Sequence, residues 1–283
     1  MRLLFPVMVL VVTAVIIAAI IVLMKPSMHN ASLTYVDNLR HLLINGTFTA
    51  IYSNNYVSFS TGGASSQVSQ CNETTLYSIG SINGTRAILL IIKNSCLPPN
   101  TIPISTQEIA YWVNGTSMCN VARLVLDNHS IKGETQCLPH ASNELIKSVT
   151  PFREFLGNVT ITLTTEGCNI NYTMITHIHY VNATEWHGQK VYCFQVISES
   201  IYSNLCNTTE TTFSPMVIQK YHTEKYTCLL PNGLPAITIF NNTIIMEFPQ
   251  TSTTTHIDAH GTSELISYEP NYFNATAFNE LLK

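Results

Sequence analysis

Leu3 to Met24 (LLFPVMVLVVTAVIIAAIIVLM) runs 22 residues without a charge, with Thr13 as its only hydroxyl-bearing side chain. As a helix rising 1.5 Å per residue, such a run crosses the roughly 30 Å hydrocarbon core of a bilayer, whereas the apolar part of a cleavable signal peptide is about 7–15 residues. Residues 1–25 therefore read as a retained transmembrane signal anchor. Pro6 stands near the start, where a missing backbone N–H costs least, and Lys25-Pro26 closes the run with a charge and a helix breaker. Arg2 before the run and Lys25 after it nearly balance, so the topology must be read from the remaining chain.

The 258 residues from Pro26 to Lys283 carry 11 Lys and Arg against 17 Asp and Glu, a formal charge of −6, with no two basic residues adjacent. Phosphate-binding surfaces need clustered Lys and Arg, which argues against a nucleic-acid partner. Charged residues are only 11% of the chain, less than half the usual share of about 25%, so something other than charge must keep the surface wet. Asn-x-Ser/Thr occurs twelve times, at Asn30, Asn45, Asn72, Asn83, Asn114, Asn128, Asn158, Asn171, Asn182, Asn207, Asn241 and Asn274. Random placement at this composition would give about five such motifs, and the excess points to N-glycosylation. Strands and turns rich in Asn and Thr also generate the motif by composition, so the argument rests on the set and not on any single site.

Eight cysteines, Cys71, Cys96, Cys119, Cys137, Cys168, Cys193, Cys206 and Cys228, all follow the apolar run. Their even number and the lack of close Cys-x-x-Cys pairs favour disulfides over zinc, and hence an oxidising compartment. Anchor, glycosylation motifs and cysteines agree on one topology, a short inner end with residues 26–283 outside a cell membrane or virion envelope. Pairing each cysteine with its neighbour across a turn predicts Cys71–Cys96, Cys119–Cys137, Cys168–Cys193 and Cys206–Cys228.

Along the chain, Ser32 can cap a helix through Ile44 with Leu33, Val36, Leu39, Leu42 and Leu43 on one stripe, ended by Asn45-Gly46. Phe48, Tyr52, Val57 and Phe59 mark strands, with a hairpin expected at Ser53-Asn54-Asn55 and a loop at 61–70. Arg86 to Lys93 (RAILLIIK) is apolar on both faces, as a central strand would be, and Asn114-Gly115 is a hairpin turn. Helical spacing returns at 142–156, where Pro151 predicts a kink or two short helices. Further strands follow, ending in a hairpin of 236–240 with 244–248 across Asn241-Asn242-Thr243. The expected fold is α+β and mostly β: a single disulfide-bonded ectodomain, 26–255, whose curved antiparallel sheet packs on two helices, then a C-terminal tail, 256–283.

Several segments together are similar to the LolA/LppX-type lipoprotein-carrier family: LTYVDNLRHLLINGTFTAIY (33–52), the helix at 142–156, HGQKVYCFQV (187–196) and CLLPNGLPAITIFNNTIIMEF (228–248). The resemblance spans about 31–255. It implies a curved sheet wrapped on helices around an apolar cavity, which Leu145, Ile146, Val149, Phe152 and Phe155 would help to line. The chain departs from the family in keeping an anchor, in lacking a lipid-attachment cysteine after the apolar run, and in its eight cysteines and twelve glycosylation motifs. A tethered carrier could present or sense a ligand, but it could not ferry one between membranes.

His177-Ile178-His179 and His256-Ile257-Asp258-Ala259-His260 each put their ligating groups on one face of a strand. If those strands paired, His177, His179, His256, Asp258 and His260 could meet as a copper or zinc site, although two-residue spacing is also the ordinary pattern of a polar strand face. The sequence contains no Gly-x-Ser-x-Gly elbow, phosphate-cradling loop, Gly-x-Gly-x-x-Gly or His-Glu-x-x-His, so nothing in it indicates catalysis or a cofactor. Two functions stay open: a surface glycoprotein that binds a lipid or other apolar ligand or a hydrophobic segment of another surface protein, or a solid-cored structural, adhesive or envelope glycoprotein.

Overall fold

The computed structural model describes residues 32–62, 65–97, 105–126, 129–139, 143–165, 168–206 and 217–283. The apolar run Leu3 to Met24 lies outside them, as do Asn30, Asn128 and Asn207. Among the described residues no helix is long and apolar enough to cross a membrane.

The strands are β1 (Phe48–Gly62), β2 (Ser65–Ile82), β3 (Thr85–Leu97), β4 (Ser105–Asn114), β5 (Ser117–Leu126), β6 (His129–Lys132), β7 (Gln136–Leu138), β8 (Val159–Thr165), β9 (Cys168–Trp186), β10 (Gln189–Cys206), β11 (Val217–Leu229), β12 (Pro235–Phe248) and β13 (Thr253–Pro270). They form one antiparallel sheet in the order β6-β5-β4-β3-β2-β1-β13-β12-β11-β10-β9-β8, with β7 also on β5. Each half is a meander, and the first strand pairs with the last to join the halves. Local hairpins build most of the sheet. The β1–β13 seam closes the chain from end to end and sets the longest loop, so its formation carries the largest loop-closure entropy.

The sheet is curled. Laid flat, β4 and β9 would be roughly 38 Å apart at 4.8 Å per strand. Yet Tyr111 of β4 and Tyr172 and Met174 of β9 pack in one apolar cluster, around Leu145. The face turned inward carries helix α1 (residues 32–45), helix α2 (Asn143–Val149) and the 3-10 turn Arg153–Leu156. The outward face carries helix α3 (Ala275–Leu282), whose Phe278 and Leu281 bury against Ala87, Leu89, Ala110 and Val121. β3 is thus apolar on both faces for a reason: Ile88 faces the inner core and Leu89 faces α3.

α1 sits where its stripe predicts. Val36, Leu39 and Leu43 are buried, and Leu33 stays exposed. Arg86 reaches from β3 to donate to the Leu43 and Gly46 carbonyls, supplying partners for the otherwise orphaned C-terminal end of the helix. Its burial holds the guanidinium down to about 10. At the other side of α1 the β11–β12 turn presses in so closely that a Cβ on Gly233 would lie 2.2 Å from the Leu39 nitrogen. Gly233 is also at φ +91°, a conformation that suits glycine. Its neighbour Leu234 is fully buried.

Several expectations are corrected. The α+β description with a sheet packed on two helices does not hold: the described residues are nearly all antiparallel sheet, and the helices among them are short and divided between the two faces. The 142–156 stretch is only a seven-residue helix and a four-residue 3-10 turn. Pro151 ends the hydrogen-bond ladder and Phe152 follows in the left-handed region at φ 54°, so apolar spacing that looked continuous serves two separate elements. The hairpins expected at 53–55 and 241–243 and most of the 61–70 loop are uninterrupted strand. Asn and Ser favour turns through local side-chain bonds, but β1 and β12 are each paired on both sides, and Asn54 turns its amide across to Glu73 and Thr75 at 2.7 and 2.9 Å. The segment set apart as a tail, 256–283, contributes β13, at the middle of the sheet, and α3.

Three disulfides are described, Cys71–Cys96, Cys119–Cys137 and Cys193–Cys228. Each joins directly opposed residues on adjacent strands. The last replaces the sequential pairings Cys168–Cys193 and Cys206–Cys228. Register, not chain order, decides: β10 lies between β9 and β11, which places Cys193 opposite Cys228 and Cys168 opposite Cys206.

Candidate functional site

Strand alternation gives each long strand one inner row, and those rows change chemistry along their length. Near α1 they are apolar: Phe48, Ala50 and Tyr52 on β1, Ile79 on β2, Phe194 and Val196 on β10 and Ala236 on β12 belong to one buried cluster with α1 and Phe155. Farther from α1 the same rows continue as Asn54 and Tyr56, Thr75 and Glu73, Ser198 and Ser200, and Thr238, Phe240 and Asn242. The interior there is not filled. Two cavities remain, one of about 290 Å³ and one of about 280 Å³, and Tyr77, Phe152, Glu154 and Lys225 line both.

Phe152 is the residue of the turn after Pro151 whose ring enters both walls. Its ring lies 5.4 Å from Tyr52 and 5.3 Å from Tyr77, centre to centre. These contacts, edge-on to Tyr52 and tilted to Tyr77, hold a non-glycine residue in a left-handed conformation that by itself costs about 1–3 kcal/mol. Burial pushes the Tyr52 and Tyr77 hydroxyls well up, so both are neutral donors, and Tyr52 donates to the Pro235 carbonyl at 3.0 Å. Two residues on, the buried Glu154 accepts from Lys225 of β11 at 2.6 Å. Burial pushes the Glu154 carboxyl up, but the charge of Lys225 and its hydrogen bond outweigh this, and Glu154 ends below the ordinary carboxylate range. Arg40 of α1 pins the same turn by donating to the Phe155 carbonyl at 2.7 Å.

On the opposite wall of the larger cavity Glu73 Oε1 accepts from Asn54 and from Thr75, each at 2.7 Å. Thr238 donates to Thr227 at 3.2 Å. Asn242 Oδ1 is buried with no hydrogen-bond partner among the described residues, and its side chain lines this cavity. What the site offers a ligand is therefore aromatic surface beside a set of mostly uncharged hydrogen-bonding groups and one internal ion pair.

The residues expected to line an apolar pocket disperse. Phe152 borders both cavities and Phe155 the larger, Val149 the smaller. Leu145 is buried in a separate cluster with Met118, Val159, Ile161 and Met174. Ile146 faces a groove of about 360 Å³ shared with Leu43, Arg86 and Lys147. Sequence reasoning missed Glu73, Glu154, Lys225 and Asn242. Helical spacing pointed the wrong way for Glu154: at about 100° per residue it falls opposite Leu145, Val149 and Phe152 on a continuous 142–156 helix, and it is buried in the 3-10 turn that follows the break at Pro151. No periodicity marks the other three, which are polar members of rows that begin apolar.

The histidines do not assemble. His177 and His179 are on β9, His256, Asp258 and His260 on β13, and β10, β11 and β12 stand between. All five belong to outward rows, which the curl of the sheet spreads apart. Asp258 instead accepts from Thr243 at 2.7 Å. Among the described residues no three His, Cys, Asp or Glu side chains are grouped as a metal ion requires.

Nine glycosylation motifs fall within the described residues. Asn72, Asn171, Asn182 and Asn241 stand exposed on outward strand rows, and Asn45, Asn83, Asn114 and Asn158 are exposed at element ends and turns. Asn274 is half-buried, where its side chain caps α3 by accepting from the Ala277 nitrogen. None of the nine lines either inner cavity.

No family model matches the chain, and no curated protein matches it in sequence. Solved structures with some likeness include a beta-barrel-like protein of a domain of unknown function, DUF1849, from Brucella abortus (TM-score 0.41, 12% identity, 80% of this chain and 98% of that one). Others are an outer membrane lipoprotein-sorting protein domain from Vibrio parahaemolyticus (TM-score 0.28, 12% identity, 88% and 98%) and a DUF1329 family protein from Desulfovibrio piger (TM-score 0.26, 12% identity, 85% and 93%). At these scores and identities the similarity is a partial likeness of shape.

Proposed function

We propose that this chain is a single-pass surface protein, anchored by its N-terminal apolar run, with residues 26–283 outside, glycosylated, and built to hold a ligand against the inner face of its sheet. One observation carries the reading: the inner face has two adjoining cavities of about 290 and 280 Å³ that share Phe152 in their walls, while the described glycosylation motifs stand on the outward rows and at element ends. Glycans on those asparagines would cover the outside and leave the interior open. Tyr56, Tyr77, Phe152 and Phe240 offer aromatic surface to the apolar part of a ligand, as ligand sites commonly do. Binding, not turnover, is the role assigned to it.

The test is to extract the full chain from its membrane with a mild detergent and record native mass spectra. A co-purifying small molecule, released on denaturation and displaced when Phe152→Trp fills the space between the cavities, supports the reading. A protein that carries nothing, and takes up nothing when offered the lipids of its own membrane, is a solid-walled spacer or adhesin. Protease treatment of intact cells or virions checks the topology separately: loss of nearly all mass down to a short membrane stub is expected, and full protection would reverse the orientation.

A further inference from the structure

We infer that the larger cavity takes a neutral, hydroxyl-bearing group, a sugar or polyol, as the polar part of its ligand. This rests on the ligand-holding reading above and names the chemistry of that site. The wall is built from hydrogen-bonding groups, most of them uncharged, and from aromatic faces. Asn242 lines the wall, and its Oδ1 is buried without a partner among the described residues; because an unmatched buried acceptor is costly, a turn of this amide toward a ligand hydroxyl gains more than an exposed contact would give. Thr227, Thr238 and Ser263 add hydroxyls that can donate or accept. Tyr56, Tyr77, Phe152 and Phe240 supply flat apolar surface of the kind on which the C–H face of a sugar ring packs.

Charge decides against the alternatives. The cavity wall contains two carboxylates, Glu73 and Glu154, and one ammonium, Lys225. Lys225 is committed to Glu154 at 2.6 Å, so a phosphate head group would meet the remaining carboxylate of Glu73 with no cation left to pair with. Glu73 is held in place by Asn54 and Thr75 and cannot readily swing away. A hydroxyl donates to that carboxylate at no such cost.

Full-length protein in phosphatidylcholine nanodiscs is offered dodecyl glucoside, dodecyl phosphate and glucose, and retention is read by native mass spectrometry. Dodecyl glucoside is expected to be retained at least about ten-fold over dodecyl phosphate. Asn242→Leu should lower glucoside retention by about ten-fold while leaving phosphate retention and the melting temperature unchanged, and Glu73→Gln should narrow the preference against phosphate. Glucose retained as well as dodecyl glucoside also supports the inference and assigns the source as free sugar; glucoside retained without glucose assigns it as a glycolipid. Phosphate retained as well as glucoside, with Asn242→Leu without effect, overturns the head-group assignment and leaves a ligand-holding interior standing. Retention of none of the three overturns both.

Discussion

Around α1 the inner face is packed solid, with Leu39, Leu43, Phe48, Tyr52, Leu229 and Leu234 each 0 or 1% exposed; a few residues along the same strands, at Asn54, Glu73, Lys225 and Asn242, it opens into cavities. Both regions obey the same alternation and the same register. They differ in what fills the space between the curled halves of the sheet. At one end a whole amphipathic helix lays its stripe against the strands, while in the middle the short stretch from Val149 to Phe155 reaches in. A rolled sheet of long strands encloses more volume than its own side chains can fill, and where no helix enters, the remaining rows are free to be polar.

If that contrast is right, mutations at the closed end should cost stability and those in the open part should mainly affect ligand. The largest effect is expected for Gly233→Ala. The new Cβ would collide with the α1 backbone, which a rotamer change cannot relieve, and the loss should reach at least about 5 kcal/mol, enough to unfold much of a domain of ordinary stability. Denaturant unfolding checks it, and a loss below about 1 kcal/mol would mean that α1 and the β11–β12 turn are less tightly docked than described.

Phe155→Ala comes next, at about 3–5 kcal/mol, because Phe155 is 0% exposed. Its neighbour Phe152 already borders empty space on both sides, so Phe152→Ala should cost about 1–2 kcal/mol and merge the two cavities. Equal losses for the two, measured by the same unfolding curves, would erase the distinction between closed and open regions.

Lys225→Met leaves Glu154 buried without its partner and should cost about 3 kcal/mol near neutral pH. The sign with pH follows from the lowered folded value of Glu154. Its contribution is complete above the unfolded value of 4.5 and is lost as pH falls through the lower folded value. In Lys225→Met the two largest influences opposing burial are gone, leaving only a backbone hydrogen bond and the charge of Arg153 against it, so that value rises and the variant should recover part of its deficit as the solution is acidified toward pH 4.5. Thermal melts of the two proteins across this range should converge; parallel curves would mean that the pair is not coupled as its geometry indicates.

The smallest effect is expected at Ile146→Trp. Ile146 faces the groove beside α1 and α2, which has room for an indole, so stability should change by less than about 1 kcal/mol and ligand retention in the inner cavities should not change. Loss of ligand in this variant would move the site from the sheet interior to that groove.

The amino-acid sequence alone determined a good deal: strands in the majority, α1 and its buried stripe, the two-faced apolar character of β3, the turn at Asn114-Gly115, the break at Pro151 and two of the three described cystine pairs. These are matters of local period and of residues near one another in the chain, where backbone preference and side-chain alternation act directly. What only the tertiary structure decided is longer in range. Asn-rich 53–55 and 241–243 are strand because partners on both sides use the backbone groups that a turn would need. Cys193 meets Cys228 because β10 is shared between two hairpins. Residues 256–283 look like a weakly patterned tail, yet β13 is the strand on which the two meanders meet. The candidate site is of this second kind, since Glu73, Glu154, Lys225 and Asn242 come from four elements, and only the curl of the sheet brings them around one cavity.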